Sequence, residues 1–214
     1  MEAIKSPYAR LAWNHLTEKD EHDKFSCALY LPKNTKALDS VKGLSDTQKQ
    51  QLVDGVEAFR KNVMATVDKE KTAKAFKSET LFKDGDEKAD AAVDTFKAEN
   101  PGKEVPAYCN FTRNMWVINL KSMYQPDFYG PKASEGKLGA DWASENIYAG
   151  CWVRADVRDY NWNYQGKKGY SLGLGGMVQK WTDDSSFEAS SSGGSEVDDA
   201  LEISPTATAD DFLD

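Results

Sequence analysis

No run of apolar side chains in this sequence approaches the roughly 18 residues that a membrane-spanning helix needs. The opening Met1-Glu2-Ala3-Ile4-Lys5 lacks the apolar core of a secretory leader. Cysteine is scarce. Cys27, Cys109 and Cys151 are odd in number and form no C-x-x-C pair, which argues against a disulfide framework or a zinc site and for reduced thiols in a cytosol. The two histidines, His15 and His22, have no second ligand at a metal-binding spacing. No Ser-His-Asp or Cys-His arrangement stands out, so no catalytic residue, metal or cofactor is expected. Gly130 to Gly136-Lys137 imitates a phosphate-binding loop. However, five residues separate the glycines and Leu138 follows the lysine, where the motif requires four residues and then Ser or Thr.

Basic charge is missing from one whole segment. From Asp183 to Asp214 there are ten acidic residues and no Lys or Arg. The chain carries 27 basic and 35 acidic residues, net −8, so residues 1–182 hold all 27 basic side chains against 25 acidic ones, about +2. That asymmetry marks an acidic interaction tail on a body with different work to do. The Ser185-Ser186, Ser190-Ser191-Ser192 and Gly193-Gly194 runs are linker chemistry. With little apolar burial to offset the ordering entropy, residues 183–214 are expected to be disordered. Residues 1–182 are expected to form one domain, mainly β with a helical insertion at about 45–98.

The body opens with two short strands, Tyr8 to Leu16 and Lys24 to Leu31, which are expected to pair as a hairpin. On the first, Ala9, Leu11 and Trp13 share a face; on the second, Phe25, Cys27, Leu29 and Leu31 alternate with more polar positions. Residues 45–76 read as a long amphipathic helix. Ser45 with Gln48 is a capping box, and Leu52, Val53, Val56, Phe59, Val63, Met64 and Val67 recur at helical spacing. Asp84-Gly85-Asp86 reads as a turn before a shorter helix at 87–98. After Val105 the chain turns aromatic, with 14 of its 24 aromatic residues and five of its six tryptophans in 105–182. Met115 to Lys121 is a predicted strand, 126–139 a loop, Ile147 to Tyr164 a long strand, and Tyr170 to Trp181 the closing strand. Gly173, Gly175 and Gly176 in that last strand suggest sharp coiling or the close approach of a ligand's backbone.

The alternation in Tyr148 to Tyr164 carries the most chemistry. One face has Ala149, Cys151, Val153, Ala155 and Val157, small and apolar. The other has Trp152, Arg154, Arg158, Tyr160, Trp162 and Tyr164. Aromatic rings interleaved with arginine suit single-stranded nucleic acid, because rings stack on bases and cations track phosphates. Lys167 and Lys168 at the following turn extend the strip, with Arg113 and Lys121 as further sources of charge. Tyr8, Arg10, Lys24 and Tyr30 are lesser candidates. The same pattern also serves a plain sheet surface or the floor beneath a packed helix.

Tyr148-Ala149-Gly150-Cys151-Trp152-Val153-Arg154-Ala155, then Tyr164-Gln165-Gly166-Lys167-Lys168-Gly169-Tyr170-Ser171-Leu172-Gly173-Leu174 and Val178-Gln179-Lys180, resembles the C-terminal signature of a phage single-stranded DNA-binding family. So do Lys24-Phe25-Ser26 leading into Tyr30-Leu31-Pro32-Lys33, Lys83-Asp84-Gly85-Asp86, and Asp210-Asp211-Phe212 near the end. The resemblance covers most of 1–182 and the extreme C-terminus. It implies a five-stranded OB-fold barrel and sequence-independent binding of single-stranded DNA without catalysis. It further implies a role in bacteriophage DNA replication and recombination in the cytoplasm of the bacterial host. The tail residues Asp210, Asp211, Phe212 and Leu213 are then expected to bind replication or recombination proteins. Here Leu213 and Asp214 follow Phe212, so a pocket that reads a terminal carboxylate beside Phe would not fit unchanged. Two other classes remain. One is a non-enzymatic structural or inhibitory phage protein whose acidic tail mimics DNA, against which the basic, aromatic strand argues. The other is a metal-dependent nuclease, for which no carboxylate pair on a predicted strand speaks.

Overall fold

The computed structural model describes residues 3–70, 81–164 and 167–182. The predicted tail, the last turn of the predicted long helix and the hairpin tip Gln165-Gly166 lie outside the described residues. The hairpin read from the sequence is present: β2 (Ala9–His15) pairs antiparallel with β3 (Phe25–Pro32). A two-residue β1 (Ile4–Lys5) precedes them and pairs with a later strand. β3 in turn pairs along its whole length with β5 (Met115–Ser122), from Phe25 opposite Ser122 to Pro32 opposite Met115. Between them the chain builds α1 (Asp46–Glu70), β4 (Lys83–Asp84) and α2 (Gly85–Glu99).

The helix signals worked as read. Ser45 N–H donates to Gln48 Oε1 at 2.9 Å, and Gln48 N–H donates back to Ser45 Oγ at 3.3 Å, a reciprocal capping box. Leu52, Val53, Val56, Phe59, Val63 and Val67 are buried, with Phe59 edge-on to Phe82 at 6.0 Å. The Asp84-Gly85-Asp86 segment is a helix start as much as a turn: the Asp84 carboxylate caps the amides of Asp86 and Glu87. Lys33 donates to both Asp84 and Asp86 and lies 4.4 Å from the Trp116 ring. The Lys33 and Asp84-Asp86 segments, fifty residues apart, are thus one ion-pair clamp.

Two expectations for the C-terminal half need correction. Residues 126–139 contain β6 (Asp127–Tyr129) and β7 (Lys137–Leu138), and β6 runs parallel to the last strand, with buried Phe128 beside Val178. A three-residue strand is too short for alternation to reveal. The long strand also starts later than read. α3 (Ala140–Asn146) and a turn at Gly150 come first, and β8 spans Trp152–Tyr164. β9 (Lys167–Thr182) pairs with β8 down to Tyr164 opposite Lys167.

Among the described residues the architecture is mainly β with three α-helices, but it is not a closed five-stranded barrel. Among the described residues one nine-stranded sheet has the order β4-β5-β3-β2-β8-β9-β6-β7, with β1 on β8. The sheet curls until β9 comes against β5, where a Cβ added to Gly173 would lie 3.3 Å from the Lys121 carbonyl oxygen. No ladder joins those two strands. The ladder between β8 and β9 slips opposite Gly175-Gly176-Met177, between Ala155 and Val157. The glycines therefore sit where the strand coils, as their presence in a strand suggests. The main core lies inside the curl, with Leu11, Leu29, Leu31, Ile118, Leu120, Val153, Ala155 and Val157 packed against Val56, Phe59 and Val63 of α1. Cys27, Cys109 and Cys151 are all buried, and burial pushes the Cys27 thiol up to about 12.

Candidate nucleic-acid interface

β8 carries the predicted binding residues, but its two ends differ. At the far end Arg158, Tyr160 and Trp162 are exposed together. The Tyr160 ring lies over Gly173, with ring carbon Cε1 3.2 Å from where a Cβ would stand. The Trp162 ring lies so close over Gly169 that an added Cβ would come within 2.1 Å of it, and its indole N–H donates to Ser171 Oγ at 3.0 Å. Each ring lies against bare glycine backbone, and the bond to Ser171 holds that of Trp162 in place. Tyr160 is 44% exposed and Trp162 41%. Beneath this surface the Tyr170 hydroxyl donates to the buried Asp159 carboxylate. Tyr164, Lys167 and Lys168 sit at the hairpin end by strand register.

At the near end the prediction fails for Trp152. Its side chain is 0% exposed, packed among Leu38, Leu52, Val53, Met115 and Trp181, and it has no face to offer a base. The alternation placed it on the right side of the strand. What alternation could not show is that residues 35–53 cover that side. Arg154 sits on the same packed patch: its Nε donates to Gln179 Oε1 at 2.8 Å and its guanidinium lies 5.4 Å from the Tyr8 ring. Arg113 is at the Met115 end of β5, bound to Asn110 and to Asp90 of α2 at 2.6 and 2.7 Å, and so is separated from Lys121 by the length of the strand. Three of the lesser candidates also serve packing. Tyr8 stacks on Trp181 at 4.6 Å, Arg10 lies 5.7 Å from the Trp152 ring and donates to Ser40, and Tyr30 packs against the Trp152 cluster.

Lys121, read from the sequence as a further source of charge, stands on β5. With Asn119 it faces outward on β5 and lines two adjoining hollows. One, about 210 Å³, is shared with Lys83, Tyr160, Ser171 and Leu172. The other, about 560 Å³, is shared with Trp13, His15, Ser26 and the 20–22 loop. Together they form a groove across the sheet from β8–β9 to β2. Asp20 shapes its far wall, accepting from Ser26 Oγ at 2.8 Å and from the amides of His22 and Lys24 at 2.9 and 3.1 Å. The Ser26 hydroxyl, then those amides and the nearby Lys121 ammonium, hold the Asp20 carboxyl down at about 2 against the opposing effect of burial. Lys83, Asn119 and Trp13 were missed as site residues. Lys83 and Asn119 reach the groove only through long-range pairing. Trp13 was assigned to the Ala9–Leu11 face, but the ladder to β3 slips between Ala12 and His15 and turns it outward.

A curled, incompletely closed sheet with aromatic rings and lysines along one open groove defines an OB-like oligonucleotide-binding class of protein. The model of the family described as "Enterobacter phage Enc34, ssDNA-binding protein" matches residues 1–213, and the chain belongs to that family. Among solved structures, the C-terminally truncated single-stranded DNA-binding protein from bacteriophage Enc34 is 22% identical, with 86% of this chain and 87% of that one covered and a TM-score of 0.57. The same phage protein in complex with single-stranded DNA is 20% identical, with 86% and 88% covered and a TM-score of 0.55. At such identities the likeness concerns the fold. A search of curated proteins found no match.

Proposed function

We propose that this chain binds single-stranded DNA independently of sequence, as a non-enzymatic phage protein of DNA replication and recombination in the host cytoplasm. The observation that carries the reading is the groove. Tyr160 shares a hollow with Lys121 and Lys83, and Arg158 and Trp162 are exposed to either side of it along β8, which pairs stacking surfaces with phosphate-neutralising charge. Family membership supports the same reading. The contact residues are Arg158, Tyr160, Trp162, Lys121 and Lys83, with Tyr164, Lys167 and Lys168 extending them at the hairpin. Residues 1–182 act as the binding domain. The acidic segment 183–214 competes weakly for the basic groove and, once displaced, offers Asp210-Asp211-Phe212-Leu213 to protein partners.

The test is a salt titration of the affinity for labelled oligothymidylate, compared with the matching duplex. Binding that favours the single strand and weakens linearly on a logarithmic salt scale is expected, because the slope counts released counterions. Equal affinity for duplex, or no binding, would sink the proposal. Deleting everything after Thr182 should tighten binding most at low salt, since charge attraction is screened over about 8 Å at physiological ionic strength. Equal affinities at every salt would leave the tail without a grip on the groove.

A further inference from the structure

Trp13 is a large side chain whose ring stands mostly in solvent, although its indole N–H donates to the Tyr30 hydroxyl. It is 73% exposed. Its backbone lies in the left-handed region at φ +50, inside the irregularity where β2 slips against β3. Left-handed backbone is adopted readily by Gly and sometimes by Asn or Asp, and a bulky residue held there is strained. Backbone outliers of this kind gather at functional sites. The ring borders the larger hollow, about 560 Å³, whose other walls include His15, Ser26, Asn119 and Lys121.

That hollow lies on the same track as the Tyr160 surface. His15 pairs with Ser26 and Ser26 with Lys121. The Lys121 carbonyl meets Gly173, and Gly173 pairs with Arg158. One row therefore crosses β2, β3, β5, β9 and β8, and a strand laid along it meets aromatic rings at both ends and Lys121 in the middle. The wall also carries two carboxylates, Asp20 and the exposed Glu21. Asp20 is ionised, bonded by Ser26 and two amides, and 3.7 Å from Lys121 Nζ, which a phosphate would have to draw away.

We infer that the Trp13 hollow is a second base-stacking station of the groove. A nucleobase of single-stranded DNA lies on the Trp13 indole, with its polar edge toward Asn119 and the phosphate beside it toward Lys121. This rests on the single-stranded DNA reading and adds to it the direction of the strand, across the sheet toward the 17–24 loop. The Trp13 backbone strain is the cost of presenting the ring.

The test uses the full chain and oligothymidylates spanning the roughly 4–16 nucleotides that one OB fold engages. Trp13→Asn removes the ring and suits the left-handed backbone, Trp13→Phe keeps a ring, and Tyr160→Ala empties the other station. Trp13→Asn is expected to weaken the longer oligonucleotides about tenfold. It should leave the salt slope and the shortest oligonucleotides nearly unchanged, with the variant fully folded at the temperature of the assay. Trp13→Phe should keep most of the affinity. If Trp13→Asn binds every length as the parent does while Tyr160→Ala binds more weakly, the groove stands and the second station is overturned. If both variants bind normally, the strand uses another face and both assignments fall. A parent chain that binds no oligonucleotide would overturn the single-stranded DNA reading, and this inference with it.

Discussion

Trp152 and Trp162 lie ten residues apart on the same side of β8, yet one is wholly enclosed and the other shows a ring face to solvent. The strand treats them alike; their surroundings do not. Over Trp152 lie Leu38, the first turns of α1 and the Trp181 ring, edge-on at 6.3 Å. Trp162 rests on Gly169, bonds Ser171 through its indole N–H and is 41% exposed. Arginine follows the same division: Arg154 is spent on Gln179 and Tyr8, whereas Arg158 is exposed. A strand can thus be core at one end and open surface at the other. Residue type and alternation tell which side a residue faces, while the covering elements decide what it does.

The largest expected effect that could break this contrast is on stability. Trp152→Ala empties a packed site and should cost about 3–5 kcal/mol in chemical denaturation. Trp162→Ala should cost under about 1 kcal/mol, as surface changes do. The reverse order would mean that the packed and open ends have been confused. Next comes affinity. Tyr160→Ala and Trp162→Ala should each weaken oligothymidylate binding by about 1–3 kcal/mol, measured by anisotropy on folded protein. Either one binding as tightly as the parent would remove that ring from the groove.

A smaller effect separates the arginines. Arg158→Ala should lower the salt slope by about one unit, the signature of one lost phosphate contact. Arg154→Ala should leave the slope unchanged. A slope that falls for Arg154→Ala instead would show its guanidinium leaving Gln179 to meet DNA. The smallest effect concerns pH and the Lys33 clamp on the packed end of β5. Burial opposes ionisation of Asp84 and Asp86. The Lys33 ammonium and backbone amides outweigh it and hold both carboxyls below their usual range. A depressed folded value means that this stability is present above the ordinary carboxylate pKa of about 4 and is lost as pH falls through the folded values. The pair is partly exposed, so the loss should be under about 1 kcal/mol. Lys33→Met should narrow the difference in denaturation midpoint between neutral and acidic solution. An unchanged difference would show that the clamp does not titrate with folding.

Much of the fold was legible because its signals are local. The Ser45–Gln48 box, the apolar stripe from Leu52 to Val67, the β2–β3 hairpin and the glycines of β9 each announce themselves within a few residues. What escaped depends on partners far along the chain. Strand β6 exists because Phe128 finds Val178. Lys83 and Asn119 join Tyr160 only after β4, β5 and β9 are brought together. Trp152 is enclosed in large part by Leu38, Leu52 and Val53, about a hundred positions earlier. Trp13 escaped for another reason: a slip between two paired strands reverses the side on which a residue emerges, and alternation assumes no slip. The tail composition was plain in the sequence, and its behaviour belongs to the proposals above.

The bare backbone beneath Trp162 also binds the history of two positions together. With a ring seated on Gly169, any side chain at 169 evicts the indole, and a smaller residue at 162 uncovers the glycine. For folding, a side chain at 169 is therefore expected to be tolerated once residue 162 is smaller, although the ring face that Trp162 offers is not restored. In a deep mutational scan scored for folded protein the double changes should survive more often than the single losses multiply to. If they survive no better, ring and glycine are neighbours without being partners.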